Sequence, residues 1–204
     1  MRLITAAFLT VSMGLTAQEE PGGNRMGIGL SATAAAGDLA QSFDHGFQVG
    51  LQIHFNRESR HLGRLRIDYL QSDSKGPVPS GSSIAAWNGT TWVTVPIDTT
   101  SRMEAYSVVY EWMPHLEGHS RSGLFGIFGM GGTLWNETLH RSGPYSWNSH
   151  DTELGFTLTA GAGWRFNPHI SLEARYVHSD LSFQGYHRYG SNRSYAAVGG
   201  TYRF

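Results

Sequence analysis

The segment GFQVGLQIHF alternates without a break, with Phe47, Val49, Leu51, Ile53 and Phe55 on one face of an extended chain and Gln48, Gly50, Gln52 and His54 on the other. A helix would scatter both sets around its circumference, so the two-residue period dictates a strand with one apolar face. The segment ELGFTLTAGAGWRF repeats the design, setting Leu154, Phe156, Leu158, Ala160, Ala162, Trp164 and Phe166 against Gly155, Thr157, Thr159, Gly161, Gly163 and Arg165. In ISLEARYVHSD, Ile170, Leu172, Ala174 and Tyr176 oppose Ser171, Glu173 and Arg175. In SYAAVGGTYRF, Ala196, Val198, Tyr202 and Phe204 oppose Tyr195, Thr201 and Arg203.

Three further segments follow the rule less regularly. Leu65, Ile67 and Tyr69 oppose Arg64, Arg66 and Asp68; Tyr106, Val108, Tyr110 and Trp112 oppose Ala105, Ser107 and Glu111; Ile28, Leu30 and Ala32 oppose Gly27, Gly29, Ser31 and Thr33. The segment Gly123–Trp135 completes the set with its facing left open, because apolar residues stand at both parities. These segments predict about eight strands of about 9–11 residues, the length that crosses a bilayer as tilted strands. Connections alternate in length. Long ones (about 37–44, 73–101, 136–151 and 181–192) share one end and short ones (56–61 and 167–169) the other, with 114–122 longer than the pattern favours. The expected fold is all-β: a closed, eight-stranded antiparallel up-and-down barrel that crosses a membrane.

Alternation alone leaves a soluble, lipocalin-like barrel open, with the same period and its apolar face turned inward. Three features favour the membrane. The polar face carries Gly, Ser, Thr and charges of both signs, where a water-facing surface would be rich in Lys and Glu; of 15 basic residues only Lys75 is lysine. Aromatic residues gather at strand ends, as in the girdles where amphipathic rings meet lipid headgroups. The last strand runs to Phe204. Arg2, the apolar run Leu3–Leu15 and the small residues before Gln18 read as an export signal, with cleavage expected after Ala17. Residues 1–17 are thus expected to be a signal peptide and 18–204 the barrel domain. With no cysteine, disulfides and thiolate chemistry are excluded, and a net charge of −1 without basic runs argues against nucleic-acid partners.

In this the sequence resembles the small outer-membrane barrels of the OmpA/OmpX and OmpW kind, over roughly Arg25 to Phe204. The resemblance implies an outer-membrane location and lipid and lipopolysaccharide as surroundings. It further implies that Tyr202 and Phe204 belong to an end signature read by the barrel-assembly machinery, in which Gly200 is the departure from the pattern.

At eight strands a barrel interior is just wide enough for side chains to fill it. The inward set Arg64, Arg66, Asp68, Glu111, Arg165, Glu173, Arg175 and Arg203 is therefore expected to form a lumen charge network, with a gated polar path as the rival reading. In the long connection 73–101, SIAAWNGTTWVTV reads as a hairpin turning near Asn88-Gly89. Trp87 and Trp92, with Tyr145 and Trp147, would form a loop binding surface for an extracellular ligand, or else pack together as a cap. His178 and Asp180 share a face with Ser182, but the His-x-Ser spacing of lipid A deacylases is absent because Asp180 occupies the serine position. The ten histidines, including His54, His61, His115, His119 and His169 at one end, are expected to be wet turn residues and not metal ligands; no cofactor is expected. The reading is a non-enzymatic barrel presenting extracellular loops. A passage for small apolar molecules stands second, a lipid A-modifying enzyme third.

Overall fold

The computed structural model describes residues 25–55, 61–75, 78–116, 122–142, 147–180 and 192–204. Strands β1 (Arg25–Ala36), β2 (Phe43–Phe55), β3 (His61–Ser74), β4 (Val78–Trp87), β5 (Trp92–Pro114), β6 (Gly123–Ser142), β7 (Trp147–Arg165), β8 (Ile170–Asp180) and β9 (Asn192–Arg203) form one antiparallel sheet. Strand β1 lies between β2 and β9, and the ring closes where β3 meets β5, from His61 opposite Pro114 to Asp73 opposite Arg102. Closure leaves the eight ring strands without an edge, so their backbone groups pair where lipid offers no partner.

Strand β4 stands outside the ring, paired with β5 from Val78 opposite Thr99 to Trp87 opposite Trp92. It forms a hairpin above the barrel. The turn is built locally: the Asn88 side-chain oxygen accepts from the backbone N–H of Thr90 and of Thr91, and Gly89 takes φ +99°, a conformation that a Cβ disfavours. At the other end the 167–169 turn uses the same device, with the Asn167 oxygen accepting from the N–H of His169 and of Ile170.

Several strands outrun the 9–11 residues expected. Strands β5, β6 and β7 have 23, 20 and 19 residues, and most of the connection expected over 136–151 is the ladder of β6 on β7, from Gly123 opposite Arg165 to Arg141 opposite Trp147. Bilayer thickness sets only a minimum. Antiparallel neighbours go on satisfying each other's backbone beyond the membrane.

The apolar rows face outward around the whole ring, with Leu30, Leu51, Val108, Met130, Phe156, Leu172 and Val198 all roughly half exposed or more. Their neighbours of opposite parity are buried, as with Gln48, Gln52, Thr157 and Arg175. Strand β6, whose facing the sequence leaves open, turns Leu124, Phe128, Met130 and Leu134 outward and Phe125, Ile127 and Trp135 inward. Inward glycines make room for bulk: a Cβ on Gly50 would collide with the Asp68 carboxylate, and one on Gly163 with the Phe125 ring. Among the described residues no helix is long and apolar enough to cross a membrane.

Candidate functional site: a filled lumen and an exposed hairpin

Strands β3, β5 and β8 bring six charged side chains together at mid-barrel. Arg64, fully buried, donates through both terminal nitrogens to the Glu173 carboxylate at 2.7 and 2.9 Å and through Nε to Glu111 at 2.6 Å. Arg66 donates to Asp68 at 2.6 and 2.7 Å and to the second Glu111 oxygen at 3.2 Å. Arg175 donates to Ser31 Oγ at 3.2 Å and stands 3.8 Å from both Glu111 and Glu173. Three guanidiniums thus meet three carboxylates. Gln52 and Thr201 complete the shell, Gln52 accepting from Arg64 at 3.1 Å and Thr201 donating to Glu173 at 3.3 Å. The fixed fork of arginine suits such a cluster because it engages both oxygens of one carboxylate. Arg165 and Arg203, also placed in the lumen by sequence parity, sit nearer the inner end, where Arg203 donates to Ser171 Oγ at 3.2 Å and Arg165 lies over the Phe125 ring at 5.5 Å.

Above and below this layer apolar clusters stand among the polar side chains of the lumen, a feature the alternation did not signal. Leu62, Met113, Phe125 and Ile127 pack together toward the inner end. Toward the outer end, Leu70, Met103, Trp135, Val177 and Tyr195 pack with Leu39 and Phe43. Leu39 comes from the 3-10 turn Gly37–Gln41, which folds into the mouth and leaves that side chain fully buried. Beside this plug Arg193 pairs with Glu153 and lies over the Trp135 ring at 5.7 Å. Sequence reasoning did not single out Arg193 or Glu153; their inward parity on β9 and β7 was the available signal. A row of hydroxyls, Ser107, Thr133, Thr157 and Ser179, links β5 to β8 across the wall at 2.6 to 2.9 Å.

Trp87 and Trp92 meet at the hairpin tip, ring centroids 5.6 Å apart and 54% and 67% exposed. They touch each other and stay open to water. Tyr145 lies outside the described residues, and Trp147 opens β7 opposite Arg141. Tyr202 and Phe204 face outward at the opposite end with rings 5.4 Å apart.

Two histidines differ from expectation: His54 and His115 are buried in the lumen and not wet turn residues, His115 being stacked on Phe125 with centroids 5.5 Å apart. His54 lies on the polar face of β2, and His115 continues the lumen row of β5 into the stretch where a turn was expected. His61 begins β3 and His169 is exposed beside Tyr202, while His119 lies outside the described residues. Among the described residues no three His, Cys, Asp or Glu side chains converge as a metal site would require. His178 Nδ1 lies 2.9 Å from Ser194 Oγ on the neighbouring strand; Ser182 lies outside the described residues.

A closed antiparallel ring with an apolar belt outside and charges inside is the arrangement a bilayer demands. The sequence matches the family described as outer membrane protein beta-barrel domain over residues 3–204. The chain belongs to that family. This outer-membrane barrel resembles a major outer membrane protein from Thermus thermophilus at 13% identity and a TM-score of 0.59, covering 88% of this chain and 99% of that one. It also resembles Ail, the attachment invasion locus protein of Yersinia pestis, at 14% identity and a TM-score of 0.51, covering 90% and 99% respectively. At such identities the likeness extends to the fold alone. Comparison with curated protein sequences finds no match for the outer-membrane barrel.

Proposed function

We propose that this outer-membrane barrel is a non-enzymatic surface protein whose closed wall presents the β4–β5 and β6–β7 hairpins outside the cell. The observation that supports this reading most directly is the filled lumen: an ion-paired layer between two apolar clusters, with Leu39 and Phe43 packed into the outer mouth. An ion entering such an interior sheds its hydration while the charged groups at mid-barrel are already paired with one another. The rigid tip with Trp87 and Trp92 then serves as the contact surface, since aromatic rings held at low entropy cost are efficient binding groups. On this reading residues 1–17 direct export and are removed after Ala17, Tyr202 and Phe204 are read by the assembly machinery, and lipopolysaccharide surrounds the outer half.

Purified barrel in planar bilayers should show no steady conductance; a reproducible open level would favour passage instead. Because the chain has no cysteine, Thr90→Cys offers a single labelling site at the tip. Intact expressing cells should take up a membrane-impermeant maleimide there, and labelling only after lysis would reverse the orientation.

A further inference from the structure

On the outer wall of β3, β5 and β6 a groove of about 490 Å³ opens just beyond the aromatic belt, lined among others by Asp73, Thr100, Arg102, Glu104, Thr138 and His140. Its height follows from the register. The Asp73–Arg102 pair lies four residues beyond the Tyr69–Tyr106 pair, about 13 Å along the strands at ~3.3 Å per residue. The rings of Tyr69 and Tyr106 face outward 5.2 Å apart, with Phe47 packed 6.3 Å from Tyr69. Such rings mark the interface between acyl chains and headgroups, so the groove sits in the headgroup layer of the outer leaflet.

Its lining specifies the chemistry. Arg102 Nε donates to Asp73 at 2.9 Å, both side chains being about half exposed or more, and this contact holds the Arg102 guanidinium above its ordinary range. One guanidinium faces two carboxylates, an excess of negative charge that disfavours a phosphate. The same lining offers donors and acceptors side by side, from arginine, hydroxyls and carboxylates, which suits hydroxyl groups that both donate and accept. A bound divalent cation is disfavoured, since no three ligating side chains converge among the described residues.

We infer that this groove binds the saccharide headgroup of an outer-leaflet glycolipid, with Arg102 donating to sugar oxygens and Asp73 and Glu104 accepting from sugar hydroxyls. A glycolipid is favoured over a soluble glycan because the groove continues the lipid-facing wall, so acyl chains reach the belt below while the headgroup occupies the pocket. The inference rests on the barrel's outward orientation, which the Thr90→Cys labelling tests separately, and not on the tryptophan tip.

The test uses the full barrel in phosphatidylcholine nanodiscs doped with digalactosyldiacylglycerol, with retained lipid counted by native mass spectrometry after release. Wild type should retain the glycolipid, and Asp73→Asn/Arg102→Gln should reduce retention about ten-fold, the loss of roughly one charge-assisted hydrogen bond. Thr138→Val, which removes one hydroxyl from the lining, provides a gentler second variant, expected to lower retention in the same direction. Heat-shifted gel mobility confirms that each variant folds. Trp87→Ala/Trp92→Ala should retain glycolipid as wild type does. Equal retention by wild type and both groove variants would overturn the inference. So would preferential retention of phosphatidylglycerol, which would mark a phosphate site, or equal binding of the free disaccharide, which would mark a soluble-glycan site.

Discussion

Replacing Glu173 by alanine tests whether the mid-barrel cluster works as one charge-balanced unit. The carboxylate takes two hydrogen bonds from Arg64, at 2.7 and 2.9 Å, and further ones from Ser171 and Thr201 at 3.3 Å. Its removal leaves Arg64, with no exposed surface, sharing Glu111 with Arg66 and Arg175. Three guanidiniums would then face two carboxylates in a medium that cannot solvate the excess. Deleting one partner of a buried pair typically costs about 3–5 kcal/mol, whereas replacing both by apolar groups of similar volume is often near neutral. Equilibrium urea unfolding in lipid vesicles, followed by tryptophan fluorescence and by heat-shifted mobility, should therefore show Glu173→Ala destabilised by about 3–5 kcal/mol. Arg64→Leu/Glu173→Leu should cost less than the sum of its two single replacements by at least about 2 kcal/mol, the coupling expected of residues in direct contact. A Glu173→Ala cost below about 1 kcal/mol, or a strictly additive double variant, would refute the idea that charge balance governs this layer.

Other positions probe other layers. Val108, on the lipid-facing wall of β5 and 52% exposed, should cost about 2–4 kcal/mol when changed to arginine, read by the same unfolding assay; a neutral effect would place that wall in water. Leu39→Ala removes the side chain that the 3-10 turn inserts into the mouth and should cost about 2–5 kcal/mol, with the outer plug loosened in hydrogen exchange while β8 stays protected. Gly89→Ala meets no neighbour within 4 Å but must hold φ +99°, so about 1 kcal/mol of strain should fray the hairpin and speed proteolysis at the tip without lowering barrel stability.

Much of the wall was legible because a strand between lipid and a narrow interior has no freedom to mix its faces. Over most of β2, β7 and β8 alternate residues report their side, and the lumen set Arg64, Arg66, Asp68, Glu111, Glu173 and Arg175 could be chosen by parity alone. Legibility fails where the interior is itself apolar. In β6 the pairs Leu124/Phe125 and Ile127/Phe128 present equal bulk to both sides, and only the neighbouring register decides that Phe125 and Ile127 turn inward, Phe125 into the space left by Gly163. Leu70, Met103 and Val177 read as lapses in the alternation, yet they are the material of the outer plug. Leu39 was hidden for another reason: a five-residue turn has no period, so nothing local announces that one side chain points down into the mouth. The tryptophans of the hairpin were found through their turn chemistry, since Asn88-Gly89 fixes a reversal that sets Trp87 opposite Trp92.

The 23-residue strand β5 has a mechanical consequence. Its lower part holds Glu111 in the charged layer and its first residue is Trp92 at the tip, so one uninterrupted backbone joins the two. From Tyr106 at the interface to Trp92 the contour is about 45 Å at ~3.3 Å per residue. A tug on the tip is therefore delivered along a single taut cord to an anchorage among the paired charges of the lumen, with no slack joint between to absorb it.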